Sequence, residues 1–359
     1  MRFKVKALVV ALLASKAAGA GAFELTPIGR LHLDYASHDS DKAQFVDRFI
    51  VRRAQIGLDA EFDPEWSAKV VYEFARHGAF KDAYLRYSGW KPAEIIIGQV
   101  KVPFGLEELI NTNNITFIER SLPTEAFPLS RRKGVRLENL GTNHTFSLMQ
   151  FGSSISGDEG SGTAARFTLS PVNHDDSLVH LGLAATTERP NGGVKISVRP
   201  EALPTDKALL KTGTVTAVNR INQLGLEGAW KQGPFSVQSE WMHSHLSRDS
   251  NQPDVDYQGW YMAGSWILTG ESRGYRDGVF KGIKAAKPTG AWEVTTRFSH
   301  LNLDDGLVRG GQESNVTLGV NWYARRYVRV MANYIKVTSR RRNVSDDPTI
   351  LDVRLQVEF

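Results

Sequence analysis

The side chains of this 359-residue chain that could do chemistry are mostly cations. Arg131, Arg132 and Lys133 stand consecutively. Three adjacent cations create a local positive potential whether or not any of them touches a solute. Arg53, Lys69 and Arg86 each fall on the polar side of a period-two run. Guanidinium groups keep their charge near neutral pH and offer paired donors to oxyanion oxygens. The chemistry on offer is capture of anions, not bond making. No spacing supports a Ser-His-Asp arrangement. Asn191-Gly192-Gly193 and Asp304-Asp305-Gly306 are turn residues rather than phosphate loops, because no GxxxxGK[ST] follows them.

The elements that must position these cations have a repeat of two. In Ala54–Phe62 the even positions are apolar and the odd ones polar or Gly. After the turn Asp63-Pro64-Glu65, Ala68, Val70, Tyr72 and Phe74 oppose Lys69 and Glu73. Ala83, Leu85 and Tyr87 then oppose Asp82, Tyr84, Arg86 and Ser88. Such alternation marks a strand with apolar surroundings on one side and water on the other. The signal recurs along the chain and predicts sixteen strands. Short turns, such as Lys231–Pro234 and Ala324–Arg326, alternate with long polar loops at 153–163, 187–218, 246–256 and 338–348. This is the plan of a transmembrane β-barrel. The connection 269–290 is long where the plan calls for a short turn. His243 and His245 lie two apart on one strand face; without a third ligand they read as lumen or rim histidines rather than a metal pair.

Bulk properties agree. Mean hydropathy is −0.30, and no apolar run beyond the N-terminus reaches the length of a membrane helix. There is no cysteine, so disulfides and Cys-based metal sites are excluded. Arg2, Lys4 and Lys6, then the apolar stretch 7–14, then small residues ending in Ala20-Gly21-Ala22 form the order of a secretory signal peptide. Residues 1–22 are expected to be removed, with cleavage after Ala22 or Ala20. Removal of Arg2, Lys4, Lys6 and Lys16 lowers the formal charge from +5 to +1. A nucleic-acid partner therefore has no charge argument, and no cofactor is implied. Any anion preference must come from where the cations sit.

Two segments stand out. Leu351, Val353, Leu355, Val357 and Phe359 alternate with Asp352, Arg354, Gln356 and Glu358, so the chain ends on an amphipathic strand with a terminal Phe in phase. Trp66, Trp90, Trp230, Trp322, Tyr323 and Tyr327 stand next to short turns, where an interfacial girdle is expected. The stretch from Gly98 to Arg136 breaks the alternation and is too apolar for a disordered loop. Leu106, Ile110, Ile115, Phe117 and Ile118 need something to bury against. About 105–134 is expected to fold into the lumen as a constriction loop; the alternative is an external loop packed on its neighbours.

GQVKVPFGLEEL, NNITFIERSLPTEAF and SRRKGVR in this stretch resemble the phosphate-selective porin O and P family. FIVRRAQIGLDAEF at 49–62, KDAYLRY at 81–87 and Leu268–Arg273 extend the resemblance over the whole mature chain. It implies an all-β fold: a 16-stranded antiparallel barrel in the bacterial outer membrane, trimeric, with the third external loop folded inward. It also implies passive diffusion of phosphate or other small anions through a pore lined by Arg and Lys. By resemblance Arg120 is the cation of the constriction loop and Asp82 the acid facing it. Arg52, Arg53 and Arg30 belong to an arginine ladder. Parity puts Arg53 toward water, whereas Arg52 needs a bulge, a rim position or a subunit interface. Leu109 stands where relatives carry a loop lysine, which weakens the case for tight phosphate binding. The partners implied are small anions, outer-membrane lipid and two further copies of the chain.

The competing readings are a low-selectivity porin on the same frame, a barrel enzyme, and a gated transporter or adhesin. An enzyme needs a nucleophile and base at one rim, and none is evident. A transporter needs a plug domain for which the chain has no room.

Overall fold

A computed structural model describes residues 23–359 apart from 41, 43, 44, 76, 77, 206, 250 and 343. The expected signal peptide lies outside the described residues. Sixteen long strands form one sheet: β1 Glu24–Asp39, β2 Arg48–Glu61, β3 Trp66–Glu73, β4 Ala79–Tyr87, β5 Glu94–Lys101, β6 Arg131–Leu140, β7 His144–Phe151, β8 Gly160–Asn173, β9 Ser177–Pro190, β10 Val218–Gln232, β11 Phe235–Arg248, β12 Val255–Ile267, β13 Ala291–Asp305, β14 Val308–Arg325, β15 Val328–Arg341 and β16 Thr349–Glu358. Each pairs antiparallel with the next. β16 closes on β1 with Arg30 opposite Glu358 and Asp39 opposite Thr349. Closure removes every sheet edge, as lipid requires, because an unpaired backbone group in hydrocarbon costs several kcal/mol.

The period-two pattern sorts the side chains. Leu226, Met262, Leu318 and Leu351 face outward and are about half exposed, while Glu227, Arg297, Asn321 and Asp352 on the alternate positions are buried within the barrel. Cross-strand aromatic pairs gather at the short-turn rim: Trp66 with Tyr87, Phe235 with Trp266, and Trp292 with Trp322. Tyr323 departs from the expected girdle. It follows outward-facing Trp322, so its ring points inward, and its hydroxyl donates to Glu293 at 2.8 Å.

Four differences from the sequence reading have physical causes. Residues 131–134, expected in the loop, extend β6, because their backbone pairs with β5 from Lys101 to Gly98. The loop 187–218 contains a hairpin of its own, Val194–Val198 with Leu210–Val215. β13 and β14 run past their expected ends to a two-residue turn, where Gly306 supplies the positive φ of a tight hairpin. The long connection 268–290 is not a rim turn. It rises into the lumen, where its small hairpin at Tyr275–Phe280 packs Val279 and Phe280 against Leu106, Ile110 and Ile115.

Candidate functional site: the lumen

The segment 102–130, between β5 and β6, packs inside the barrel. Its apolar residues are satisfied by two partners. Ile110 and Ile115 meet the connection 268–290. Phe104, Leu122 and Phe127 pack with Val198 and Leu210 of the hairpin loop and with wall residues Leu246, Val255 and Leu301. Loop, hairpin and connection thus fill much of the lumen, packing most densely against the β10–β13 wall.

Polar groups fix the loop in place. The loop carries two short helices, α1 Leu106–Leu109 and α2 Leu122–Ala126. A helix end leaves unpaired N–H and C=O groups. At the start of α1, Glu240 of β11 accepts from the N–H groups of Leu106 and Glu107, both at 2.7 Å. At its end, Arg120 donates to the carbonyls of Glu107 and Glu108 at 3.2 and 3.0 Å, and Lys101 also caps Glu108. Arg120 further pairs with the Glu108 carboxylate at 3.0 Å. Burial opposes the charge on Glu108, but Arg120 and Lys101 hold its carboxyl below the usual range.

The wall and the inward connection grip the same loop with arginines. Arg354 forks onto Asp34 with two bonds of 2.7 Å and reaches Glu119 at 2.8 Å. Arg297 reaches Glu107 at 3.2 Å and Glu201 of the hairpin loop at 2.8 Å. Arg329 donates to the Ile115 carbonyl at 2.8 Å, and Arg273 to that of Asn114 at 3.1 Å. Burial disfavours a charged Glu119, yet Arg52 and Arg354 keep its carboxyl well below the usual range.

The expected site residues divide into three groups. Arg52 occupies a β-bulge: Arg53 pairs with His32 and Val51 with Leu33, so Arg52 is the extra residue between them. The bulge turns it inward despite its parity, and it forks onto Glu119 at 2.6 and 2.9 Å. The second group lines an open slot of about 300 Å³ between the loop and β1–β8: Arg30, Lys69, Asp82, Arg86 and Arg131, joined by Lys101 and Arg136. Arg53 is buried beside this wall. The third group lies elsewhere. Arg132 is buried behind the loop, donating to the Leu129 carbonyl at 2.9 Å. Lys133 is exposed on β6, in phase with exposed Val135, and does not line the slot.

Asp82 and Arg120, expected to face each other across the lumen, each bond to another partner. Asp82 holds Arg131 through two bonds of 2.8 and 3.1 Å, while Arg120 turns back onto α1. Several slot cations have acidic partners: Lys69 with Asp59 at 2.8 Å, Arg86 with Glu94 at 3.5 Å, and Arg136 with Glu138 at 2.9 Å. Arg30 differs. Among the described residues its guanidinium donates only to neutral loop groups, Asn111 Oδ1 at 3.2 Å and Thr112 Oγ1 at 2.7 Å. These hold the cation in place through partners that carry no charge of their own. His243 and His245 point away from the lumen at the long-loop rim and pair with Asp256 at 3.0 and 2.9 Å.

Below the slot lies a wider space of about 1040 Å³, lined by Arg273, Arg325, Arg326 and Arg329 among others. Lys281, on the inward connection, borders both spaces. The connection is latched by Tyr275, whose hydroxyl bonds His180 at 2.7 Å and Ser170 at 2.9 Å, and by Arg166, which donates to the Gly278 carbonyl at 2.9 Å. Arg273 anchors its root through Glu293. We expect Arg273→Ala to loosen the connection. Limited trypsin digestion of the folded barrel should then cut at Arg276, Lys281, Lys284 or Lys287 several-fold faster than in wild type. Equal rates would show that Arg273 does not anchor this segment.

A barrel closed at β1 and β16, with a basic slot beside an inward loop, is the arrangement of a diffusion channel, and the comparisons agree. The family profile described as phosphate-selective porin O and P matches residues 27–359. The chain belongs to this family. It is 26% identical to Porin O of Pseudomonas aeruginosa over 92% of this chain and 87% of that protein. Among solved structures it is similar to the trimer form of OmpT of Vibrio cholerae, with TM-score 0.61, 11% identity, and 94% and 100% of the two chains covered. It is also similar to the anion-selective porin from Comamonas acidovorans, with TM-score 0.60, 10% identity, and 94% and 100% covered. As a phosphate-selective porin O and P family member it is an anion channel of the bacterial outer membrane, not an enzyme.

The tethering arginines were not singled out from sequence. Arg297, Arg329 and Arg354 all sit on polar phases of strands, so alternation does point them inward. Nothing in sequence says that their partners are loop carbonyls and carboxylates far away along the chain.

Proposed function

We propose that this porin passes phosphate and related small oxyanions through the slot lined by Arg30, Arg131, Arg86 and Lys69, with Asp82 orienting Arg131. One observation carries this reading: Arg30 faces the slot with no ion-pair partner among the described residues, held by neutral Asn111 and Thr112. An anion entering the slot exchanges hydration water for guanidinium donors, and serial weak sites let it leave again. The carboxylates paired with the other cations, and Leu109 at the slot wall, favour modest over tight binding. Orthophosphate fits this better than a longer chain that would need several free cations at once.

Residues 1–22 direct export and are cleaved after Ala22 in this reading, and 23–359 form the barrel with its constriction loop. Three copies associate through β3–β5. These strands span only 8, 9 and 8 residues, at or below the ~9–11 needed to cross a bilayer, so a protein neighbour covers that wall better than lipid does.

The test is reversal potential in a planar bilayer under a KCl gradient, followed by titration with phosphate and then pyrophosphate. Anion selectivity with stronger block by phosphate than by pyrophosphate is expected. Cation-leaning selectivity, or no block by either, would sink the proposal and leave a low-selectivity porin.

A further inference from the structure

The outer face of β15 carries a feature that the pore does not use. Its outward positions run Val328, Val330, Ala332, Tyr334, Lys336, Thr338 and Arg340. The first four are apolar or aromatic. Lys336, Thr338 and Arg340 are all exposed, and neither cation has a hydrogen-bonding or acidic partner among the described residues. Lys336 stands eight residues beyond Val328, which begins the strand after the short turn. Eight residues extend ~27 Å along a strand and rise ~20 Å at ordinary barrel tilt. That height is near the top of an apolar band ≈25 Å tall, and Arg340, four residues further along the strand, lies above it.

The neighbouring strands draw the same boundary. Lys336 is level with Val316 of β14 and Thr349 of β16, and Val316 is level with Phe298 of β13. Two outward positions further, Arg340 is level with Gln312, and Gln312 with Asn302. Apolar side chains therefore give way to hydrogen-bonding ones along a continuous line, with two long, unpaired cations at β15. The boundary lies on the long-loop side, which in an outer-membrane barrel faces the cell exterior. This wall is also long: β13, β14 and β15 span 15, 18 and 14 residues, enough to cross the bilayer without cover from another subunit.

We infer that Lys336 and Arg340 form a docking site for a phosphate-bearing glycolipid of the outer leaflet, its acyl chains lying on Tyr334, Val316 and Leu318 and its phosphate between the two cations. Charge complementarity selects this occupant. The patch is cationic, it sits at headgroup height, and it continues an apolar face that must already be covered by acyl chains. Thr338, between the cations, supplies a hydroxyl for the phosphate or the sugar. The lipid would brace the outer wall without touching the conduction path.

Binding of diphosphorylated lipid A to the detergent-purified, delipidated trimer would test this by native mass spectrometry, against lipid A stripped of phosphate. Each cation near a membrane surface contributes a factor of about 5. Lys336→Gln with Arg340→Gln should therefore weaken binding of the phosphorylated lipid about 30-fold and leave the dephosphorylated lipid unaffected. Single-channel conductance should stay at the wild-type value, which also certifies a folded barrel. Equal binding of the two lipids to wild type, or equal binding of the phosphorylated lipid to wild type and the double variant, would overturn the proposal. So would dissociation of the trimer in the double variant, because the patch would then be a subunit contact.

Discussion

Arg354→Ala should produce a porin whose constriction loop is unlatched: open-channel noise and mean conductance rise, and the thermal unfolding midpoint falls. Arg354 has no solvent exposure and bridges Asp34 of β1 to Glu119 of the loop. Its removal strands the Asp34 carboxylate and takes one of two cations from Glu119. Breaking a buried ion pair from one side costs about 3–5 kcal/mol. Arg52 still holds Glu119 through its fork, so much of the cost falls on Asp34 and on the seam where β16 meets β1. Asp34→Asn in the Arg354→Ala background should recover part of the stability, because it removes the stranded charge, yet should not restore the quiet channel. Single-channel recording paired with thermal unfolding separates the two effects. Unchanged noise and conductance in Arg354→Ala would show that the remaining tethers, Arg52, Arg297 and Arg329, hold the loop without it.

Replacing Arg30 by Ala is the second large effect, and it falls on selectivity instead of stability. Arg30 lines the slot and bonds only neutral loop groups, so no carboxylate is stranded when it goes. A charge about 6 Å from a passing anion, in a medium between protein and water, contributes about 1–2 kcal/mol. Phosphate block should therefore weaken roughly 5–30-fold, and the reversal potential under a salt gradient should shift toward zero. Arg120→Ala should change block much less, because Arg120 is spent on α1 carbonyls and Glu108. The comparison of these two variants decides between the slot geometry and the placement suggested by family resemblance. A larger effect from Arg120 than from Arg30 would mean that the anion rides on the loop and not on the wall.

Alternation by itself determined the barrel. Leu351, Val353, Leu355, Val357 and Phe359 face outward and Arg354 and Gln356 inward, as a period of two demands once one side of a sheet meets lipid. The same rule placed Arg53, Lys69 and Arg86 inside. Parity failed where the backbone breaks the count. Arg52 escapes it through a bulge, which is visible only in the register of β1 against β2. Three things were left to the tertiary structure. The loop's apolar residues announced that they needed burial, but not that the periplasmic connection would rise to meet them. The motif residues Arg120 and Asp82 were recognisable, but not their partners, because Arg131 is 49 residues from Asp82 in sequence and becomes its neighbour only when the barrel curls. Which cations keep their charge free for an anion follows from such long-range pairings. A strand pattern encodes the side a residue faces; only closure of the barrel decides what stands across from it.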